Sequence, residues 1–143
     1  MIKKILKNEA NKGLTYTLNR CLKVATGEDI ARMDDDDISH AMRFERQVEI
    51  LERNNDIAVV STCANIIDDN GKWSEREYKE YIVKEDFLFN NPVMHPTIMG
   101  RKSVFDDIGG YCDKKYTNCF NDMEEISKDR ELLTNLNNFL DKL

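Results

Sequence analysis

A chain of 143 residues, 41% hydrophobic and 34% charged, is long enough for one domain that buries roughly two-thirds of its unfolded surface, and too apolar for a disordered segment. The net charge of −6, with no basic block longer than a Lys-Lys pair, offers a phosphate backbone little attraction and argues against nucleic acid as a partner. No apolar run approaches the ~20 residues of a membrane-spanning helix. Cys21, Cys63, Cys112 and Cys119 lack Cys-x-x-Cys spacing and follow no secretory signal, so free cytoplasmic thiols are expected.

Residues 1–7 alternate basic and apolar side chains and suit a short strand or a frayed start. From Asn11 the spacing of Leu14, Leu18, Cys21, Leu22 and Ala25 predicts a helix stopped by Gly27. Asp29 to Met33 reads as a strand, and it runs directly into Asp34, Asp35, Asp36 and Asp37. Four adjacent carboxylates repel one another, so a folded loop needs cations or hydrogen-bond donors to hold them. The carboxyl end of a strand is also where open α/β sheets place ligands.

Ser39 is expected to cap a helix reaching about Asn54, with Phe44, Val48 and Leu51 on its apolar face and Arg43, Glu45, Arg46, Glu49 and Glu52 mostly in solvent. Ile57 to Ile67 reads as a strand, Asn70-Gly71 as a hairpin turn, and a return strand runs through Trp73 to Val83. This alternation of helix and strand predicts an α/β layer arrangement with a mainly parallel sheet. Beyond it, Glu85 to Asn90 suits a helical turn stopped by Pro92, Val93 to Met99 a short strand despite Pro96, and Arg101 to Ile108 a helix closed by Gly109-Gly110. A last helix from about Asp122 to Leu143 carries a broad apolar stripe. No repeat or composition break divides residues 1–143, so a single domain is expected.

Two carboxylates one residue apart, Asp34 and Asp36, suit a hard divalent cation whose shell is completed by water and phosphate oxygens. Spacing alone is weak, because aspartate runs are more often solvated acidic loops. An EF-hand frame starting at Asp34 fails, since Ile38 and Ser39 fall on a ligand position and the obligatory glycine.

The order of motifs is more specific. Asn11-Lys12-Gly13-Leu14, Leu18-Asn19, Ala25-Thr26-Gly27-Glu28, Ile30-Ala31-Arg32-Met33-Asp34-Asp35-Asp36-Asp37-Ile38, Arg43-Phe44-Glu45-Arg46-Gln47, Asn91-Pro92-Val93-Met94-His95-Pro96, Arg101-Lys102 and Gly109-Gly110-Tyr111 together resemble family-2 glycosyltransferases of GT-A fold. The resemblance covers about residues 8–113 and implies a partial GT-A-like α/β fold, a mixed sheet flanked by helices. It also implies transfer of a sugar from a nucleotide-sugar donor to an acceptor hydroxyl with inversion, assisted by Mg²⁺ or Mn²⁺. Surface polysaccharide synthesis is the role it suggests, with a saccharide or lipid-linked acceptor, in the cytoplasm or peripherally at the inner face of the membrane.

Carried over by residue, Asp36 matches the leading metal contact, Asp34 holds the donor's ribose or the metal, and Asp37 anchors the loop or faces the donor. The cation would neutralise the leaving nucleoside diphosphate. An inverting transfer needs a base for the acceptor hydroxyl; Asp122 falls where the family carries it, and is equally placed to cap the last helix. His95 matches a position on the acceptor side, against the simpler reading of a buried, hydrogen-bonded histidine. Arg101 suits a phosphate or the acidic loop and is equally an ordinary helix-start arginine. Trp73 and Tyr78 suit sugar stacking, although hairpin packing accounts for them. His40 receives no role.

The family's opening strand, Pro-x-Tyr-Asn-type loop and Asp-Asp-x-Ser-type strand end do not occur before Asn8. The expectation is therefore the central part of a glycosyltransferase domain without its N-terminal nucleotide-binding strands, leaving an unpaired sheet edge. The alternative is a catalytically inactive remnant acting as a binding module.

Overall fold

The computed structural model describes residues 4–79, 82, 86 and 91–112. Gly13, at φ 82°, turns the chain into helix α1, Leu14–Val24, and the amide of Ala25 closes it on Cys21 and Leu22. Strand β1, Asp29–Ala31, follows. Helix α2, Arg43–Arg53, leads to the short strand β2, Val59–Val60. A hairpin of β3, Ala64–Asp68, and β4, Gly71–Arg76, comes next. A 3-10 turn over His95–Thr97 then delivers β5, Met99–Arg101, and helix α3, Lys102–Asp107.

The main sheet has the order β1-β5-β2, with β5 antiparallel to both neighbours. The α/β class stands, but the mainly parallel sheet does not. β1 and β2 do run the same way, as a strand-helix-strand unit requires, yet β5 is inserted between them and makes every ladder of this sheet antiparallel. Gly100 permits the insertion: a Cβ there would lie 2.8 Å from Val59 Cγ2 and 3.0 Å from the Ala58 carbonyl.

Two apolar clusters sandwich the sheet. Leu51, Ile57, Val60 and Met99 pack on the α2 side, and Leu22, Ile98 and Phe105 join α1 to α3 on the other. Successive residues Ile98 and Met99 serve opposite clusters, as the period of two in extended backbone dictates.

Several local expectations shift. The Asn-Gly hairpin forms, but Asp69 and Asn70 make the turn and only Gly71, at φ 109°, takes the left-handed conformation. Ile57 to Ile67 breaks into two strands, β2 and β3, and the return strand ends at Arg76. The expected strand from Val93 is instead a turn until Met99, because Pro96 presets the 3-10 conformation and lacks an N–H for a ladder. Ser39 does not cap α2; its hydroxyl contacts the His40 carbonyl, while His40 Nδ1 accepts from the Met42 amide at 3.2 Å. The α3 stop is as expected, with Gly109 at φ 77° and Gly110 at φ 86°. The turn at Glu85 to Asn90, apart from Asp86, and the helix from Asp122 lie outside the described residues.

The largest departure is the buried face of α2. Arg43, Gln47 and Leu51 turn inward, and Phe44 is left 46% exposed. Arg43 is tolerated because its guanidinium meets fixed carbonyls, at Arg32 (2.9 Å) and Pro96 (3.1 Å), and lies 4.6 Å from the Phe44 ring centroid.

Candidate active site

β1 ends at Ala31, opposite Met99, so the residues after β1 and those before β5 meet at one end of the sheet. The Arg32 amide donates to the Ile98 carbonyl at 2.9 Å and continues the ladder one step. Arg43 then ties the two segments together from α2 by its bonds to the carbonyls of Arg32 and Pro96. The acidic loop and the His95 turn are thereby fixed side by side. Arg101 belongs to the other end of β5, opposite Asp29. Its guanidinium donates to the carbonyls of Leu51 and Asn54 and anchors the C-terminal end of α2.

Within the cluster, Arg32 is buried and its Nη2 donates to Asp34 Oδ1 at 2.7 Å. The His95 imidazole stands edge-on to the Tyr111 ring at 5.5 Å. Burial lowers the pKa of His95, and Arg32 pushes the same way while Asp34 opposes. The imidazole is therefore neutral near pH 7, able to donate from one nitrogen and accept on the other. Burial raises the pKa of the Tyr111 hydroxyl, with Arg32 opposing, and lowers that of Arg43, with Asp37 opposing. A half-exposed carboxylate thus pairs with one guanidinium, and a neutral imidazole and a phenol lie within its field.

Of the residues singled out in the sequence, Asp34 and His95 are brought together. Asp36 and Asp37 lie on the exposed part of the loop, where the Asp37 amide donates to the Asp34 carbonyl at 3.4 Å. Asp122 lies outside the described residues. No three His, Cys, Asp or Glu side chains converge among the described residues, so any cation there would draw most of its ligands from water and a bound ligand. The donor set nonetheless suits Mg²⁺ or Mn²⁺: hard carboxylate oxygens, with no ion pair claiming Asp36 among the described residues. Trp73 is 67% exposed on the hairpin, and the Tyr78 hydroxyl contacts Met94 Sδ at 3.9 Å. No helix among the described residues is long and apolar enough to cross a membrane.

Arg32, Arg43, Gln47 and Tyr111 form this site's framework without having been assigned roles from the sequence. Arg32 carried a signal: it is the nearest cation to four carboxylates that need one.

The sequence profile described as Glycosyl transferase family 2 matches residues 2–109. The chain is 35% identical over 121 residues to a protein of Bacillus subtilis (strain 168) named putative glycosyltransferase EpsE, a match covering 85% of this chain and 44% of that one. It is 35% identical over 101 residues to the O-antigen biosynthesis glycosyltransferase WbnJ of Escherichia coli, covering 69% and 39%. It is 30% identical over 121 residues to the amylovoran biosynthesis glycosyltransferase AmsE of Erwinia amylovora, covering 82% and 45%. The chain spans less than half the length of each of these relatives.

Proposed function

Because the chain belongs to glycosyl transferase family 2, we propose that it acts in transferring a sugar from a nucleotide-sugar donor to an acceptor hydroxyl, with inversion, at the cytoplasmic side of surface polysaccharide synthesis. Relatives named for O-antigen and amylovoran biosynthesis support that setting. The observation that carries the reading is the locking of the acidic loop against the His95 turn at one end of the sheet, through the Arg32–Ile98 ladder bond and the two carbonyls held by Arg43. A transferase needs donor and acceptor groups at fixed separation, and fixed positioning is a large part of catalysis.

In this reading Asp36, with Asp34 beside it, holds Mg²⁺ or Mn²⁺, and Asp34 and Asp37 meet the donor. When bound, the ion supplies charge stabilisation to the departing diphosphate. Neutral His95 orients the acceptor by hydrogen bonding, and Asp122 receives the acceptor's proton. Arg101 has no part, because its guanidinium is committed to α2.

Calorimetric titration with nucleotide-sugars, with and without Mn²⁺, tests the proposal. Binding that requires the metal and is lost in Asp36→Ala supports it. An absence of binding at millimolar donor would favour a non-catalytic binding module instead.

A further inference from the structure

The side chain that sets the acidic loop is Arg32. Its backbone is tied on both sides: the amide donates to Ile98 and the carbonyl accepts from Arg43. The side chain therefore leaves a fixed platform and is only 7% exposed. Its Nε is buried without a hydrogen-bond partner, and Asp34 is its only carboxylate among the described residues. Stripping water from a guanidinium is costly, and one carboxylate that keeps 38% of its exposure is a modest return. Such a pair is a poor choice for stability alone. Its distinct effect is to hold a carboxylate in one orientation, which mutually repelling, exposed aspartates cannot do for themselves.

Resting on the reading of the acidic loop as the donor site, we propose that Arg32 is its positioning residue. By binding Oδ1, Arg32 presents the remaining oxygen of Asp34 to the incoming ligand in a preset orientation, and it acts through Asp34 rather than on the ligand. The charge of the same guanidinium also reaches His95 and Tyr111.

A double-mutant cycle on the full chain tests this. Arg32→Met preserves bulk and the backbone ties, and Asp34 retains enough exposure to be solvated without its partner. Affinity for Mn²⁺ with UDP, and for Mn²⁺ with GDP, is measured by calorimetry in the wild type, Arg32→Met, Asp34→Asn and the double variant. Arg32→Met is expected to weaken binding on the order of tenfold beside native Asp34, and not at all in the Asp34→Asn background. Equal losses in both backgrounds overturn the proposal, because a merely structural role is indifferent to Asp34. A second measurement needs no ligand: ¹⁵N spectra of the guanidinium should give separate Nη signals for Arg32 in the wild type and merged ones in Asp34→Asn. Merged signals in the wild type overturn the inference. Separate signals without nucleotide binding uphold the Arg32–Asp34 lock and overturn the donor reading alone.

Discussion

Asn19 and Tyr111 exchange hydrogen bonds in both directions: Asn19 Nδ2 donates to the Tyr111 carbonyl at 2.8 Å, and the Tyr111 amide donates to Asn19 Oδ1 at 2.7 Å. The pair clamps the chain beyond α3 to α1 and holds the Tyr111 ring against His95 and Phe105.

Asn19→Ala removes both bonds and should cost about 1–3 kcal/mol, read as a lower urea midpoint at unchanged slope. Gly110→Ala should cost at least as much, since Gly110 sits at φ 86° and a Cβ would lie 2.5 Å from Asn19 Oδ1. An unaltered midpoint in Asn19→Ala would show that the clamp contributes nothing.

Gln47 is fully buried, and its Nε2 donates to the carbonyls of Thr97 at 2.7 Å and Val60 at 3.4 Å. It thereby joins α2 to β2 and to the turn that carries His95. Gln47→Leu takes the side-chain donor away from the Thr97 carbonyl, while Val60 keeps its place in the ladder with Met99, and should cost about 1–3 kcal/mol at any pH. Gln47→Glu should be worse near neutrality, because an ionised carboxylate would face two carbonyls. Burial raises the folded-state pKa of such a group, so the folded state takes up a proton more readily and stability recovers as pH falls. Thermal midpoints at about pH 5 and 7.5 separate the two variants; a Gln47→Glu protein without acid recovery would place the side chain in solvent.

The contrast between Gln47 and Asn70-Gly71 explains what the sequence makes legible. Turn glycines, the helix spacing of α1 and the strand before the aspartates follow from local chemistry and appear near where local rules put them. The order β1-β5-β2 depends on the close approach at Gly100, which no local pattern encodes. The burial of Arg43 depends on carbonyls from Arg32 and Pro96, the latter bond spanning 53 residues. Periodicity therefore assigned Arg43 to solvent and Phe44 to the core, the reverse of what forms. In the site, the spacing of the aspartates points to Asp34 and the family resemblance to His95, whereas the sequence offers for Arg32 only its nearness to the four carboxylates, and its burial and its bond to Asp34 are tertiary.

His95 gives the fold a pH dependence with a definite sign. Its folded-state pKa is depressed, first by burial and then by Arg32. Between the folded and unfolded pKa values the unfolded chain binds more protons, so this part of the stability is complete above the unfolded value and is lost as pH falls toward the folded one. Replacing the imidazole by a neutral side chain removes that contribution. The wild type should therefore lose more thermal stability than His95→Gln between about pH 7.5 and 5.5. Identical pH profiles would mean that His95 has the same pKa folded and unfolded, so that its burial does not depress it.

Asp36 should separate function from stability. Its carboxylate is exposed and has no ion pair among the described residues, yet it stands beside three other aspartates. Removing it relieves repulsion and exposes no partner, so Asp36→Ala should match or exceed the wild type in urea midpoint. In the proposed function the same change abolishes the Mn²⁺ dependence of nucleotide-sugar binding, because it removes the leading metal oxygen. The two readouts then move independently, which a misfolded variant cannot mimic. A midpoint lowered as far as in Asn19→Ala would instead make Asp36 a structural carboxylate. Metal-dependent binding that survives the change would remove the metal from this loop.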